Sequence, residues 1–375
     1  MTAADTVVGS VATVPVTELR AAAYTIPTDM PEADGTLAWD KTTLVVAHVR
    51  SADTSGTGWT YGHASAAAVI ADVLAGQVVG GDAMDTTGIF TAMARAVRNV
   101  GRSGIAGQAI SAVDIALWDL KARLLEIPLH RLLGAVRHAV PVYGSGGFTT
   151  YDHHRMRTQL AGWIHDLAIP RVKIKIGESW GTNPRRDVSR MRQANAVAGE
   201  GVELFVDANG AYSAKQAIRI MGMVADLGIT WLEEPVSSKD IRGLAAVRDA
   251  VTADVAAGEY GHRLDDFVPL CSAVDCLQID ASRCGGYTEW QRVAALAAAH
   301  ELEVSAHCAP WLHAAIAAAT PNLRHVEWFH DHARIETRYF DGATMPVGGE
   351  LALDDTANGH GLTLRANDLD PYRVS

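Results

Sequence analysis

The most informative stretch of this chain is Arg171-Val172-Lys173-Ile174-Lys175-Ile176-Gly177. Apolar side chains alternate with lysines here, and a period of two residues is typical of a β-strand. The alternation places Lys173 and Lys175 on one face of the strand and the apolar side chains on the other. Two lysines on a strand usually form a solvated face, but the segments that follow favour another interpretation.

Three further short apolar segments each end in acidic residues: Glu203–Asp207, Thr230–Glu234 and Asp254–Glu259. The acids Asp207, Glu233 and Glu259 follow one another at intervals of 26 residues. A strand, a helix and two short loops occupy about that length. A polar side chain at the C-terminal end of each strand is the pattern by which a (β/α) barrel builds its active site.

The same alternation of strand and helix continues through the whole second part of the chain. Eight strand segments with helical segments between them begin near Val140, Val172, Glu203, Thr230, Asp254, Cys276, Glu303 and Leu323. This order predicts a (β/α) barrel over residues 138–344, with a doubly wound open sheet as the alternative fold.

The first part of the chain lacks this strand–helix repeat. The predicted elements are a strand, a polar loop, a second strand, a turn leading into a third strand, and a helix: Val11–Tyr24, Pro27–Lys41, Thr42–Val49, Gly56–Gly62 and Gln108–Ile127. Strands followed by helices predict a separate α+β domain over residues 1–137.

The two ends of the chain are also assigned to this first domain. Residues 1 to about 10 are predicted to be an unanchored leader. Residues 345–375 are predicted to return to the first domain, with Gly361–Arg365 as a strand.

Composition narrows the class of protein. The chain has 375 residues, is 48% hydrophobic and carries a net charge of −11, which argues against nucleic acid or an anionic membrane as partner. No apolar run approaches the roughly 18 residues of a membrane helix, and the N-terminus lacks the basic region of a signal peptide. The four cysteines form no CxxC pair, so a reduced, cytoplasmic setting is predicted, with Cys308 as a small buried thiol.

The three evenly spaced acids predict a metal site. If Asp207, Glu233 and Glu259 converge at one barrel mouth, their carboxylates repel one another and are costly to desolvate. A divalent cation removes that cost, and all-oxygen ligation suits Mg²⁺ best, with Mn²⁺ or Ca²⁺ as alternatives. Glu234 alternates to the other side of its strand and is the weaker candidate. The competing interpretation is a set of scattered surface acids.

Two groups are predicted to move protons. Lys175 is set toward the mouth with Lys173 behind it, and two crowded lysines near a metal are expected to lower each other's pKa, which makes one of them a usable base. His307 ends a strand on the opposite side of the barrel. Asp280, one strand earlier, is placed to accept a hydrogen bond from its ring and so fix its tautomer.

The motifs that contain these residues occur in a fixed order: AISAVDIALWDLKARLLEIPLHRLLG (residues 109–134), VKIKIG, VDANG, WLEEP, GE, QIDASRCGG, SAH and VEW. In these motifs the chain resembles the enolase superfamily and, within it, the mandelate racemase subgroup, over nearly its whole length. The resemblance implies a (β/α)7β modified TIM barrel with an N-terminal α+β capping domain.

The resemblance also implies a role for each site residue. It implies a magnesium ion on Asp207, Glu233 and Glu259, with Lys175 as one acid/base and the His307–Asp280 pair as the other. The residues that it places on the substrate carboxylate, the enolate or the α-hydroxyl are Lys173, Ser145, Glu327 and Asn209.

Members of this subgroup with a Lys/His pair remove the proton α to a carboxylate and then follow one of two routes. Protonation of carbon gives a racemase or epimerase, and loss of a β-hydroxyl as water gives an acid-sugar dehydratase. Polar residues of the expected cap (Asp34, Trp59, Tyr61 and His63) favour a small hydroxylated carboxylate as substrate. An acid-sugar dehydratase is therefore predicted, with a 2-hydroxy-acid racemase as the alternative and a non-catalytic metal-binding protein as a remote alternative. The protein is also expected to form a homo-oligomer.

Overall fold

The computed structural model describes residues 13–375. The predicted leader and the first residues of the predicted first strand lie outside this range. The first domain opens with an antiparallel sheet of three strands, β1 (Glu18–Ala33), β2 (Ala38–Ser51) and β3 (Thr54–Tyr61). Its helices are α1 (Ser65–Val69), α2 (Ala75–Val78), α3 (Thr86–Ala96), α4 (Ile105–Leu124) and α5 (Leu129–Leu132).

The predicted polar loop between the first two strands is wrong. Strand β1 continues to Ala33 and β2 begins at Ala38, so only a tight turn separates them. In that turn the Asp34 carboxylate accepts hydrogen bonds from the backbone N–H groups of Thr36 and Leu37 at 2.6 and 2.8 Å. Proline is tolerated because β1 is an edge strand whose pairing with β2 shifts register between Pro27 and Glu32.

The predicted turn at Gly56–Gly62 is instead most of strand β3. Its glycines serve close packing rather than a turn. A Cβ at Gly58 would lie 2.2 Å from the Ala112 carbonyl oxygen, and one at Gly56 would lie 2.3 Å from the Ala116 carbonyl oxygen. Helix α4 therefore lies directly on the sheet, and this contact places the capping domain's longest helix in the core.

The second part of the chain is a closed parallel barrel of eight strands: β4 (Ala139–Gly146), β5 (Arg171–Lys175), β6 (Glu203–Asp207), β7 (Trp231–Glu233), β8 (Asp254–Ala257), β9 (Cys276–Ile279), β10 (Glu303–Ala306) and β11 (Leu323–Phe329). Each strand pairs with the next, and β11 pairs with β4. This closing pair confirms the barrel with its capping domain and excludes the open sheet.

Helices follow each of the eight strands: α6 (His153–Ala161), α7 (Glu178–Gly181), α8 (Pro184–Ala198), α9 (Ala214–Met223), α10 (Ile241–Arg248), α11 (Leu264–Phe267), α12 (Ala281–Cys284), α13 (Gly286–Ala299), α14 (Pro310–Ala318) and α15 (His330–Tyr339). Helix α15 joins the barrel to the first domain, because the Glu336 carboxylate accepts a hydrogen bond from Trp59 Nε1 at 3.0 Å. In the described range 13–375, no helix is both long and apolar enough to cross a membrane.

Aromatic rings fill the lower part of the barrel. Phe205 and Trp231 stack with their centroids 5.4 Å apart, and Tyr143 and His325 pack against them. The charged side chains of the barrel interior lie above these rings, where Lys173 Nζ lies 5.0 Å from the Tyr143 ring centroid.

The C-terminal segment contains β12 (Phe340–Asp341), β13 (Glu350–Ala352), β14 (Thr363–Leu364) and α16 (Ala366–Leu369). Strand β14 pairs with β12, and β13 pairs with β4 of the barrel. The predicted strand within Gly361–Arg365 is present as β14, but its strand partner is β12. The neighbouring residues do contact the first domain, since His360 Nε2 lies 2.9 Å from the Thr57 carbonyl oxygen of β3 and Arg123 Nη2 of α4 donates to the Leu362 carbonyl oxygen at 3.0 Å. The last residues also reach the three-stranded sheet, where Val374 N donates to the Ala23 carbonyl oxygen at 2.8 Å.

Candidate active site

The register of the barrel strands aligns the first three site residues at the same height along the barrel axis. Lys175 pairs with Asp207 across β5 and β6, and Asp207 pairs with Glu233 across β6 and β7. Each is the last residue of its strand. Parallel strands end at the same edge of a sheet, so the three side chains lie side by side at the barrel mouth.

The three evenly spaced acids meet at this mouth. Carboxylate oxygens of Asp207, Glu233 and Glu259 lie within 4.8 Å of one another, and all three side chains are buried. Burial and the neighbouring Asp207 raise the pKa of Glu233 to about 8. Glu259 Oε2 makes no hydrogen bond to any residue in the described part of the chain.

This donor set fits a hard divalent cation. Buried carboxylates that repel one another are stabilised by a bound cation, and three carboxylate oxygens with room for water and substrate are the ligands that Mg²⁺ takes in proteins. The unpartnered oxygen of Glu259 is the observation in this structure that agrees with such a ligand role.

Both lysines of the β5 strand point into the same group of acids. Lys175 Nζ is 2.5 Å from Asp207 Oδ2. Lys173 Nζ is 2.6 Å from both oxygens of Glu233 and 2.8 Å from Glu327 Oε1. Lys173 thus lies deeper in the barrel, between the acids of β7 and β11.

The expected lowering of the lysine pKa values assumes a nearby metal ion and stays a prediction, whereas the carboxylates by themselves act in the opposite direction. Burial and the Lys173 ammonium do lower the pKa of Lys175, but Asp207 and the other carboxylates raise it by more. The pKa of Lys173 is likewise raised, because Glu233, Glu327 and Asp207 outweigh burial. A cation held by the same carboxylates would offset their charge and shift both pKa values back down.

His307 and Asp280 form a hydrogen-bonded pair on the opposite side of the mouth. His307 Nδ1 lies 2.8 Å from Asp280 Oδ2, and Asp280 Oδ1 accepts from Ser282 N at 2.7 Å. A carboxylate only accepts, so Nδ1 carries the proton and Nε2 faces the mouth, 3.4 Å from Glu259 Oε2. Burial lowers the pKa of His307, but Glu259 and Asp280 leave it raised overall.

The residue after His307 is a buried thiol rather than an exposed nucleophile. Cys308 has a φ of +53°, and its backbone N–H donates to Glu327 Oε2 at 2.7 Å. Burial raises the pKa of the thiol well above its ordinary value. The strained turn therefore positions Glu327 and His307, and the thiol is in its neutral form.

Glu234 lies closer to the site than strand alternation predicts. The chain leaves β7 at this residue with a φ of +36°, which breaks the alternation. Its side chain is buried, and burial together with Glu259 and Asp207 raises its pKa well above the ordinary value. The left-handed backbone at Glu234 therefore leaves its buried carboxyl group beside the acids of the mouth.

The residues predicted to contact substrate also lie at the strand ends. Ser145 on β4 is the register partner of Lys173. Its Oγ is buried and, like Asn209 Oδ1, makes no hydrogen bond to the rest of residues 13–375. Asn209 has a φ of +46°, and its backbone N–H donates to Asp207 Oδ1 at 2.8 Å. Both side chains therefore keep a polar atom available for another group.

Two of the cap residues expected to face substrate have other partners. Trp59 and Tyr61 both direct their polar atoms to Glu336, and Tyr61 also stacks on His332 with the ring centroids 3.5 Å apart. His63 is exposed and bonds Ser65. Asp34 belongs to a turn that does lie beside the mouth, because a Cβ on the next residue, Gly35, would lie 2.7 Å from the Ile176 carbonyl oxygen and 2.8 Å from the Ala208 carbonyl oxygen.

Sequence reasoning missed Arg283 and Tyr260. Arg283 Nη1 lies 3.3 Å from Glu259 Oε1, its Nε lies 3.3 Å from Asp280 Oδ2, and its guanidinium lies over the Tyr260 ring. Arg283 thus connects Glu259 of the three-carboxylate cluster to Asp280 of the histidine pair. Arg283 could have been found from the sequence, because it lies three residues after Asp280 within the motif QIDASRCGG.

Two family profiles match this chain. The mandelate racemase/muconate lactonizing enzyme N-terminal domain matches residues 17–134, and the enolase C-terminal domain-like family matches residues 155–368. This chain belongs to the mandelate racemase/muconate lactonizing enzyme family. The two matches together cover most of the chain.

Individual relatives of the family agree with this assignment. The chain is 34% identical over 303 residues to L-talarate/galactarate dehydratase of Salmonella typhimurium, a match that covers 76% of this chain and 74% of the relative. A mandelate racemase/muconate lactonizing enzyme-like protein from Rubrobacter xylanophilus superposes with a TM-score of 0.93 at 46% identity, over 96% of this chain and 100% of that one.

A third relative was crystallised with metal. A racemase from Streptomyces coelicolor with bound magnesium superposes with a TM-score of 0.89 at 30% identity, over 96% of this chain and 100% of that one. The Salmonella dehydratase has also been crystallised with Mg and L-lyxarohydroxamate, and that structure superposes with a TM-score of 0.88 at 27% identity, over 96% and 93% of the two chains.

Proposed function

We propose that this protein is an Mg²⁺-dependent acid-sugar dehydratase. It removes the proton α to a carboxylate and eliminates the β-hydroxyl of a small hydroxylated acid as water. The observation that carries the proposal is the placement of two proton-transfer groups, Lys175 and the His307–Asp280 pair, on opposite sides of the three-carboxylate cluster. The likeness to a Salmonella dehydratase that acts on acid sugars supports it.

Asp207, Glu233 and Glu259 are the residues that would hold the metal. Bound there, Mg²⁺ supplies positive charge beside the substrate carboxylate and so lowers the free energy of the enolate. Lys173 adds a second positive charge from below, since its ammonium is buried among the same acids. Ser145 and Asn209, with their unpartnered polar atoms, are proposed to bind the substrate carboxylate and α-hydroxyl.

The proton transfers follow from the positions of the bases. Lys175, in its neutral form, takes the α-proton, and the C–H electron pair becomes the double bond of the enolate. His307, protonated at Nε2 and held through Nδ1 by Asp280, gives that proton to the β-hydroxyl. The carbon–oxygen bond then breaks, water leaves, and the enol product tautomerises to a 2-keto-3-deoxy acid.

A racemase or epimerase of a 2-hydroxy acid is the second candidate. The same two groups on opposite faces could remove a proton from one side of the α-carbon and return one from the other. The likeness to a Streptomyces coelicolor racemase favours this candidate. The two reactions differ only in whether the enolate loses a hydroxyl or is protonated on carbon.

A panel of acid sugars incubated with Mg²⁺ in D₂O tests both candidates. Formation of 2-keto acid supports dehydration, whereas inversion without keto acid on a substrate that bears a β-hydroxyl contradicts it. Absence of both keto acid and α-deuteration across a broad panel would indicate a metal-binding protein without turnover.

Two variants separate the roles of the bases. His307→Asn is expected to stop dehydration while Lys175 still exchanges the α-proton of a substrate whose hydrogen faces it. Lys175→Ala is expected to abolish that exchange. Proton NMR in D₂O measures both, and exchange that survives in Lys175→Ala would contradict the proposed base.

A further inference from the structure

A second cluster of metal-type ligands lies outside the barrel-mouth residues, where the first domain meets the barrel. Asp29 and Glu32 belong to β1, and His330 is the first residue of α15. Ligand atoms of the three side chains lie within 4.8 Å of one another. His330 Nε2 is 3.3 and 3.2 Å from the two oxygens of Asp29.

The local backbone explains why both acids reach the same place. Residues of an extended strand three positions apart point to opposite faces. Here the pairing of β1 with β2 shifts register between Pro27 and Glu32, and this irregular segment includes Asp29. The shift allows both carboxylates to lie beside His330, which follows the last barrel strand directly.

Glu32 provides an independent indication of a missing partner. Its side chain is fully buried, and Oε2 accepts from Trp39 Nε1 at 2.9 Å. Oε1 makes no hydrogen bond to any described residue, and neither does the buried hydroxyl of Tyr151 nearby. A buried carboxylate oxygen without a partner is costly, and here burial and Asp331 raise the pKa of Glu32 to about 9.

We propose that Asp29, Glu32 and His330 bind a first-row transition-metal ion, with Zn²⁺ as the preferred ion. Imidazole nitrogen and carboxylate oxygen are both Zn²⁺ ligands in proteins, and three protein ligands leave a fourth position for water. The imidazole distinguishes this site from the all-oxygen cluster at the mouth, which suits Mg²⁺.

The charges around the cluster permit a divalent ion. Arg155 Nη2 lies 2.8 Å from Asp29 Oδ2, and Arg334 Nη2 lies 2.5 Å from Asp331 Oδ1. Two guanidinium groups therefore face three carboxyl groups, those of Asp29, Asp331 and Glu32. A histidine that binds a metal ion is uncharged and adds no positive charge. The Asp29 oxygen not bonded to Arg155 remains beside His330.

The cluster is reachable from solvent. A surface cavity of about 300 Å³ is lined in part by His330, Arg155, Trp163 and Met345. His330 is partly exposed, and its ring therefore connects this cavity to the buried carboxylate of Glu32. An ion can reach the three ligands without unfolding of either domain.

The site would tie the cap to the barrel beside the active site. Strand β1 leads directly into the turn that carries Gly35, which packs against the carbonyl oxygens of Ile176 and Ala208 just beyond the ends of β5 and β6. On the barrel side, His330 follows Phe329, whose ring centroid is 5.8 Å from Lys175 Nζ. We expect the ion to hold this part of the cap in place and to raise the melting temperature.

Co²⁺ binding measured in the presence of saturating Mg²⁺ tests the proposal. The protein is stripped with a chelator, loaded with Mg²⁺ to fill the mouth, and titrated with Co²⁺ while visible absorption and heat are recorded. One Co²⁺ per chain is expected. His330→Gln and Asp29→Asn should each weaken its affinity at least about tenfold, since even outer-shell changes at metal sites have effects of that size.

His154→Gln is the matched control, because His154 is an exposed histidine on the neighbouring α6 helix and should bind Co²⁺ as the parent does. Circular dichroism checks the fold of each variant, and Asp29→Asn replaces His330→Gln if the latter unfolds. Equal Co²⁺ affinity and spectra in the parent and in both cluster variants, or no Co²⁺ uptake once Mg²⁺ is saturating, would overturn the proposal.

Discussion

Asp280→Asn tests how the histidine pair works. The substitution keeps the size of the side chain and removes its charge. One oxygen can still accept the hydrogen bond from Ser282 N, which is 2.7 Å long. The amide NH₂ then faces His307 Nδ1, 2.8 Å away, where a carboxylate oxygen stood. His307 must lose this hydrogen bond or move its proton to Nε2, the atom that faces the mouth.

The expected loss follows from the geometry. A hydrogen bond between an ionised carboxylate and a buried donor contributes about 1.5–3 kcal/mol. Since about 1.4 kcal/mol corresponds to a tenfold change in rate, kcat/KM should fall roughly 10- to 100-fold. Asp280 also raises the pKa of His307. Its removal should move the loss of activity at high pH, where His307 is no longer an acid, to lower pH.

The assay is 2-keto acid formation measured from pH 5.5 to 9.5, approximately the range in which histidine titrates. Asp275→Asn is the matched control, because Asp275 precedes the same strand at the opposite end of the barrel and accepts from Val255 N at 2.9 Å. The control should keep the parent's rate and pH profile. Full activity and an unshifted profile in Asp280→Asn, together with inactive His307→Asn, would refute the reasoning.

Three further predictions concern the metal, the joint between domains and the packing of the cap. Glu233→Gln should weaken Mg²⁺ binding and turnover together, measured by calorimetry and assay, and unchanged Mg²⁺ affinity would contradict its ligand role. Burial raises the pKa of Glu336 from 4.5 to about 8. Between these pH values the folded protein therefore holds a proton on Glu336 that the unfolded chain releases, so the free energy of unfolding falls as the pH rises. Urea unfolding at pH 6 and 8 should show a smaller fall in Glu336→Gln, and an equal fall in both proteins would contradict this. Gly58→Ala should destabilise by about 1–3 kcal/mol, because its Cβ would meet the Ala112 carbonyl oxygen at 2.2 Å. Gly76→Ala, in a helix where a Cβ meets no described atom within 4 Å, is the control that should keep or raise the melting temperature.

The barrel was predictable because its information is local and repeated. Each strand is a short apolar run, and each unit repeats after a similar number of residues, so the ends of strands such as β6 and β9 could be located from the sequence to within a residue. The capping domain was less predictable. Its β1–β2 hairpin contains prolines at Pro27 and Pro31, which locally indicate a loop, and only an edge position in the sheet accommodates them.

The glycines of β3 show the same limit. Gly56 and Gly58 indicate a turn when read alone, and their reason becomes visible only when α4 lies against the strand. The cap residues Trp59 and Tyr61 carry polar atoms that either substrate or protein could bind. Their partner, Glu336, lies far along the chain on α15, and no local pattern connects them.

The sequence alone therefore determined the barrel, the positions of the acids, lysines and histidine at the strand ends, and the family. These follow from side-chain period and spacing, which depend on neighbours along the chain. Only the tertiary structure decided the ion pair of Lys175 with Asp207, the inward position of Glu234 and the meeting of Asp29 with His330. Charge interactions and burial depend on distances in space between residues that are far apart in sequence, and those distances exist only once the barrel closes and the cap packs on it.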